Sequence, residues 1–356
     1  MIAMNYGKDW VKTTYDTLAA SDIKQHLRTG MSVSIKPNLV LPSPPSDGAT
    51  THPEVVEGII RFLQDFGISK IQVMESAAAG YNTKKAYKVC GYEPLEKKYG
   101  ITLVDLKNAP SRKLSHSGID IQIAEAALDT DFLINVPVLK AHCQTRLTCC
   151  MKNLKGCIPE KEMRRFHTLG LHQPIAALAS LLKVHYNVVD GICGDLSFEE
   201  GGSPVEANRI IAGRNPLLVD SFCAGLIGYK PEDIGYLNYG RENGLGEFFS
   251  SQTEVVELNT DQKPARQQKS SRLSERYRGS NIEEDSACSV CYASLIFALH
   301  RAGGRSSKKI CIGQGFKGKS VGNALGIGSC AKDFADYVPG CPPGAVDIIM
   351  HLASGS

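Results

Sequence analysis

Apolar residues recur along the first two thirds of the chain in two alternating rhythms. Val55, Val56, Ile59, Ile60 and Leu63 follow Pro53 at three- and four-residue spacing, which predicts a helix opened by the proline and stopped at Gly67. Short apolar runs at 32–35 and 70–74 flank it and read as strands. A helix between two strands implies a parallel βαβ unit with a right-handed crossover. Further strands are expected at 101–104, 132–136, 187–189 and 210–212, with helices at 174–184 and about 216–227. The strand at 187 is expected to end at Asp190-Gly191. Through about residue 245 the alternation predicts an α/β fold, a mostly parallel sheet flanked by helices.

The rhythm stops near residue 251. Gln252, Gln262, Gln267, Gln268, a Ser/Arg/Lys run and Asn281-Ile-Glu-Glu-Asp285 carry little apolar periodicity. The expected organisation is therefore an α/β domain over 1–250, a linker or surface arm over 251–286, and a small cysteine-rich C-terminal domain over 287–356. A length of 356 residues suits one large and one small core.

Composition narrows the function classes. A net charge of +3 gives no reason to expect nucleic acid or an anionic membrane as partner. No stretch reaches 18 uninterrupted apolar residues, and the first fourteen residues lack a basic region followed by an apolar one. The expected address is the cytoplasm. Twelve cysteines there argue against a disulfide framework. Cys193 and Cys223, in apolar surroundings, read as small buried hydrophobes.

The C-terminal cysteines differ. Cys288-Ser-Val-Cys291 is a C-x2-C pair, followed by Cys330 and Cys341. Two thiolates from one turn and two from a distance give four sulfur ligands, the number required by a 4Fe–4S cluster and by a structural zinc alike. Glycines beside Cys330 and Cys341, and prolines after Cys341, favour the cluster, because they let backbone N–H groups approach its sulfides. Gly313-Gln-Gly315-Phe-Lys-Gly318 reads either as a further source of N–H groups or as a surface turn. Cys311, in a strand-like run, reads as a core residue or a spare ligand.

Polar residues gather after successive strands, where open parallel sheets bind ligands. Lys36-Pro-Asn38 follows one strand, and Thr50-Thr-His52 precedes the helix at Pro53, with Thr51 as its expected cap. Asn135-Val-Pro-Val-Leu-Lys140-Ala-His142 leaves another, followed by Lys152-Asn153-Leu154-Lys155-Gly156 and by His167 and His172. If these loops share one sheet edge, Lys36, Lys140, Lys152 and Lys155 converge on a carboxylate, a phosphate or a carboxylated cofactor. Asp190 reads as a ligand for ribose, metal or lysine, or as half of an Asp-Gly turn. No G-x-G-x-x-G and no Walker-type loop is present, so a dinucleotide fingerprint and a P-loop are not supported.

Lys36-Pro-Asn38, Thr51-His-Pro53, Asn135-Val-Pro-x-Leu-Lys140-x-His142, Lys152-Asn-Leu-Lys-Gly156, Asp190-Gly191, Ala212-Gly213 with Asp220, and Gly244-Leu-Gly246 together resemble the domain-of-unknown-function 362 family. The likeness runs from about residue 30 to 250. The tail cysteines look like an extension that some members carry, while the ferredoxin-type C-x2-C-x2-C-x3-C-P runs of other members are missing. The family core is similar to the N-terminal domain of the nickel-pincer lactate racemase. That resemblance implies the α/β fold, a cluster, and a small-acid or cofactor site between two lobes.

The expected function is a redox-linked iron–sulfur protein of an anaerobe, leaning towards an oxidoreductase. A small anionic ligand would be bound by Lys36, Asn38, His52, Lys152, Asn153, Lys155 and Asp190. Lys140, His142 and His167 would act on it, and Cys288, Cys291, Cys330 and Cys341 would hold the 4Fe–4S cluster. A redox partner protein and a homo-oligomer complete the expectation. The alternatives are a non-redox isomerase or lyase of a small acid with a structural zinc or cluster, and a cofactor-binding protein without turnover.

Overall fold

The computed structural model describes residues 1–197, 200–265, 269–277, 281–304, 306 and 308–354. Gln267 and Gln268 lie outside the described residues. The strands are, in chain order, β1 (Ile2–Tyr6), β2 (Ser32–Pro37), β3 (Lys70–Glu75), β4 (Thr102–Asp105), β5 (Ser111–His116), β6 (Ile119–Ala124), β7 (Phe132–Val136) and β8 (Lys140–His142). They continue with β9 (Arg146–Thr148), β10 (Tyr186–Asp195), β11 (Pro204–Gly213), β12 (Val255–Leu258), β13 (Ile282–Glu284), β14 (Lys309–Ile312), β15 (Ala324–Ile327) and β16 (Asp336–Val338).

Eight strands form the large sheet in the order β12-β1-β11-β10-β7-β2-β3-β4. The run from β10 to β4 is parallel, and β11 pairs antiparallel with both β10 and β1. Strands buried on both faces favour apolar side chains, and β7 answers with Phe132-Leu-Ile134 in an unbroken run, while Val33, Ile35 and Val73 are buried in β2 and β3. One face packs against the helices Trp10–Ala19 and Pro53–Asp65, the other against His172–Leu181 and Pro216–Leu226. No helix among the described residues is long and apolar enough to cross a membrane.

Three sequence expectations change. The strand at 187 does not end at Asp190-Gly191: β10 continues to Asp195, with its register against β11 shifting between Gly191 and Cys193. Asp190 is therefore a strand residue, not a turn. Thr51 does not cap the helix Pro53–Asp65; His52 holds the cap position, and the Thr51 hydroxyl bridges Asn38 N–H and the Val136 carbonyl. Most of all, 251–286 is more than a linker. Its start supplies β12, which pairs in parallel with β1 at the sheet edge, and its end supplies β13.

β13 opens a second sheet, all parallel, in the order β13-β14-β15-β16. Ile310, Ile312, Leu325, Ile327 and Val338 pack against the helices Ser289–Arg301 and Ala345–Ser354. Cys311 points the other way, into a small core with Phe316 and Phe334, so packing accounts for it.

Candidate functional site

The chain leaves β2 towards β3 and β4 on one side, while β7 and β10 lie on the other. This reversal opens a crevice at the carboxyl ends of β2 and β7. Lys36 and Asn135 are register partners across it. The Lys36 ammonium donates to Glu75 Oε2 at 2.9 Å, Asn153 Oδ1 at 3.1 Å and the Pro37 carbonyl at 2.7 Å. Asn153 in turn donates to Asn135 Oδ1 at 2.8 Å. Burial pushes the Glu75 carboxyl upward, and the Lys36 ammonium with the Leu39 and Ser76 backbone N–H groups pulls against that. Lys36 thus lines the crevice as half of a buried ion pair.

The cleft above this floor encloses about 830 Å³ of empty space, part of it open to solvent. Lys36, Asn38, Lys140, His142, Lys152, Asn153, Lys155 and His167 all line it, so eight of the ten expected cleft residues meet in one place. The other two, His52 and Asp190, are outside this lining and pair with each other instead. The continuation of β10 beyond Asp190 explains the difference.

Lys140 and His142 are carried by β8, with Lys140 Nζ donating to the Ala49 carbonyl at 2.6 Å. His142 Nδ1 accepts from the backbone N–H groups of Gln144 and Thr145 at 3.1 and 3.2 Å. An acceptor at Nδ1 leaves the ring proton on Nε2. Burial, then the charges of Lys152, Lys155 and Lys140, hold His142 well below the usual imidazole range. His167 is lowered in the same way, by burial and then by Lys155 and Lys152, and Lys155 Nζ lies 3.4 Å from its Nε2. Both rings are neutral at pH 7, polar without adding charge.

Asp220 explains how Lys152 and Asn153 reach the cleft. Its carboxylate accepts the backbone N–H groups of Cys150 and Met151, at 2.5 and 2.9 Å, at the head of the short helix Cys150–Asn153. Burial pushes this carboxyl up to about 6. Cys149, Cys150 and Asp220 are also, among the described residues, the set of three whose ligand atoms all lie within 4.8 Å of one another, so they could hold a metal. All three are fully buried.

Several cleft residues escaped the sequence reading. Glu75, Tyr81, Glu200 and Ser289 line the cleft, as do Ser76 and Thr148. The Ser76 and Thr148 hydroxyls are buried there without a hydrogen-bond partner among the described residues. Glu75 ends β3, and Ser76 and Tyr81 lie in the loop after it, where no basic or histidine motif marks the chain.

The four tail cysteines line a second cavity, with about 370 Å³ of empty space, together with Arg164, Gly313, Gly328 and Gly340. Cys288 follows β13, Cys330 follows β15 and Cys341 follows β16, so three carboxyl strand ends of the small sheet converge, as the parallel arrangement requires. Cys291 sits one turn into the helix Ser289–Arg301. Gly328 and Gly340 have φ of 83° and 126°, left-handed conformations that bring the backbone against the cavity wall. Arg164 Nη1 donates to Cys341 Sγ at 3.5 Å and is a ligand-side contact that the cysteine spacing could not reveal. The tail sulfurs are not drawn within 4.8 Å of one another in threes. Cys288 lines both cavities.

Comparison with known proteins follows the fold. The thylakoid-associated protein sll1697 of Synechocystis sp. is 28% identical over 219 residues, covering 58% of this chain and 66% of that protein. The chain thus spans just under two thirds of that relative. Among solved structures, the lactate racemase apoprotein of Thermoanaerobacterium thermosaccharolyticum is similar with a TM-score of 0.43 and 15% identity, covering 63% of this chain and 57% of that one. A structural-genomics protein of Thermotoga maritima gives 0.36 and 14%, with 52% and 51% covered. The model of the family described as Domain of unknown function (DUF362) matches residues 33–225, more than half of the chain. The chain belongs to that family.

Proposed function

We propose that this protein is a redox-linked iron–sulfur protein that binds a small anion in the lysine-lined cleft. The observation that carries the reading is the double exposure of Cys288, which lines the four-cysteine cavity on one side and the cleft on the other. A group held by Cys288 would lie one side chain away from a ligand in the cleft.

The residues fit a 4Fe–4S cluster. The donors are four thiols around an open cavity, with left-handed glycines beside two of them and a guanidinium against one sulfur. When bound, the cluster supplies single electrons. Lys140, Lys152 and Lys155 bind and orient the anion, and the otherwise unpartnered Ser76 and Thr148 hydroxyls can donate to its oxygens. His142 holds a proton on Nε2, and His167 stays neutral beside Lys155, so both offer polar contacts to the anion without adding charge. A cytoplasmic setting in an anaerobe and a partner protein that exchanges electrons with the cluster belong to the same reading.

The test is the iron, acid-labile sulfide and zinc content, with a visible spectrum, of protein purified without oxygen. About four irons and four sulfides with a band bleached by dithionite are expected, and Cys330→Ser should lose them while the large domain stays folded. Roughly one zinc and no colour would overturn the redox reading and leave an acid–base isomerase or lyase at the same cleft. A variant that retained full iron would overturn the ligand set.

A further inference from the structure

His52 and Asp190, displaced from the cleft, belong to a separate arrangement with Cys193. His52 Nδ1 lies 2.8 Å from Asp190 Oδ2, and His52 Nε2 lies 3.7 Å from Cys193 Sγ. The carboxylate is fixed independently, because it also accepts the backbone N–H groups of His52 and Ile192. Trp10 packs its edge against the imidazole, with ring centroids 4.9 Å apart. A thiol, an imidazole and an orienting carboxylate in series are the parts of an activated cysteine.

Two further features converge on the sulfur. The register shift in β10 falls between Gly191 and Cys193, and such irregularities re-aim the side chains beside them. His52 also holds the cap position of the thirteen-residue helix Pro53–Asp65, so the positive end of that helix stands next to the pair. Helix N-termini and imidazolium groups both favour thiolate over thiol. Burial pulls the His52 ring down, but the charge and hydrogen bond of Asp190, with smaller contributions from Cys193, outweigh it and push the imidazole up to about 10. Asp190 and then Cys193 are the titratable groups that act most on this ring, and Glu206 on β11 is the register partner of Cys193.

We propose that Cys193 is a peroxide-reactive thiol, with His52 supplying the proton and Asp190 holding the ring in place. Cys193, His52 and Asp190 are only 5%, 4% and 0% exposed, which limits the substrate to a small uncharged hydroperoxide such as hydrogen peroxide. The thiolate sulfur attacks one peroxide oxygen and the O–O bond breaks. The sulfur is oxidised by two electrons to a sulfenic acid, and the departing hydroxide takes the Nε2 proton of His52 and leaves as water. Cysteine thiolate, imidazolium and hydrogen peroxide thus become sulfenic acid, neutral imidazole and one water.

The experiment treats the folded full chain with hydrogen peroxide at pH 6.5, removes the peroxide with catalase, and alkylates with iodoacetamide only on unfolding in guanidinium, so that peptide-resolved mass spectrometry counts the free thiol each cysteine has lost. Cys90 and Cys223 are internal controls, since burial pushes both thiols up. Cys193 is expected to be lost at least about tenfold faster than either control, and about tenfold slower in His52→Asn. Loss of Cys193 no faster than the controls in the folded wild type would overturn the proposal, even if His52→Asn fails to fold. So would a folded His52→Asn that keeps the wild-type rate.

Discussion

The ammonium of Lys36 lies 2.9 Å from the carboxylate of Glu75, at the ends of neighbouring parallel strands, with the two side chains 0% and 3% exposed. A pair buried so completely is held by its own attraction and by added hydrogen bonds, which the amine donates to Asn153 Oδ1 and the Pro37 carbonyl and which the acid accepts from two backbone N–H groups.

Removing one partner strands the other. Lys36→Met is expected to destabilise the fold by about 3–5 kcal/mol, because Glu75 is left without its counter-charge. Lys36→Met with Glu75→Leu should lose much less than the two single changes added together. Urea denaturation of the four proteins measures the difference, and strict additivity would show the pair to be uncoupled.

Gly156 sits against this pair. A Cβ placed there would run into Glu75 Oε1 and the end of the Lys36 side chain. Gly156→Ala should therefore cost about 1–3 kcal/mol through overpacking and disturb anion binding. A variant of wild-type stability and wild-type affinity for phosphate or a small carboxylate would show that the floor can move.

The cleft histidines set a pH response. His142 and His167 are held well below the ordinary imidazole value by burial and by the lysines. The unfolded chain therefore binds more protons than the fold below about pH 6.5. Stability is expected to fall as pH drops through 6.5 and further. His52 has the opposite sign: its contribution is complete below 6.5 and is lost as pH rises towards about 10. Thermal unfolding from pH 5 to 10 should show maximal stability between these limbs, and His142→Gln should soften the acid limb alone.

Arg164 donates to Cys341 Sγ while its other arm is tied to Glu160 at 2.7 Å. If Cys341 holds the proposed cluster, a cationic N–H against its sulfur favours the reduced, more negative state. Arg164→Ala should leave the iron content intact and move the midpoint potential to a more negative value in redox titration. An unchanged potential would place the guanidinium in a purely structural role.

What could be read from sequence, and what could not, divides along physical lines. The helix at Pro53 and the strands of the sheet interior were legible because burial on one or two faces forces apolar periodicity. β12 and β13 were not, because each is a short strand at a sheet edge, four and three residues long, set in polar chain. The grouping of the tail cysteines was legible because a thiol stands apart chemically from its neighbours in sequence, and the small parallel sheet brings all four to one cavity. Lys36 was recognised as a cleft residue, but Glu75 was missed, since only strand register brings 36 and 75 together. Asp190 misled because Asp-Gly favours turns locally, whereas pairing with β11 carries the strand five residues further.

Cys288 is a wall common to two chambers, and if the proposed cluster and anion occupy them, a contact made through that wall links the two bindings. Whatever factor a ligand in the cleft applies to the retention of metal at the four thiols, the metal must apply to the ligand in return. A chain stripped of its metal and a chain deprived of its anion would then be damaged in the same currency. The affinity of the cleft, measured with and without the cluster, is also a measurement of how tightly the cluster is held.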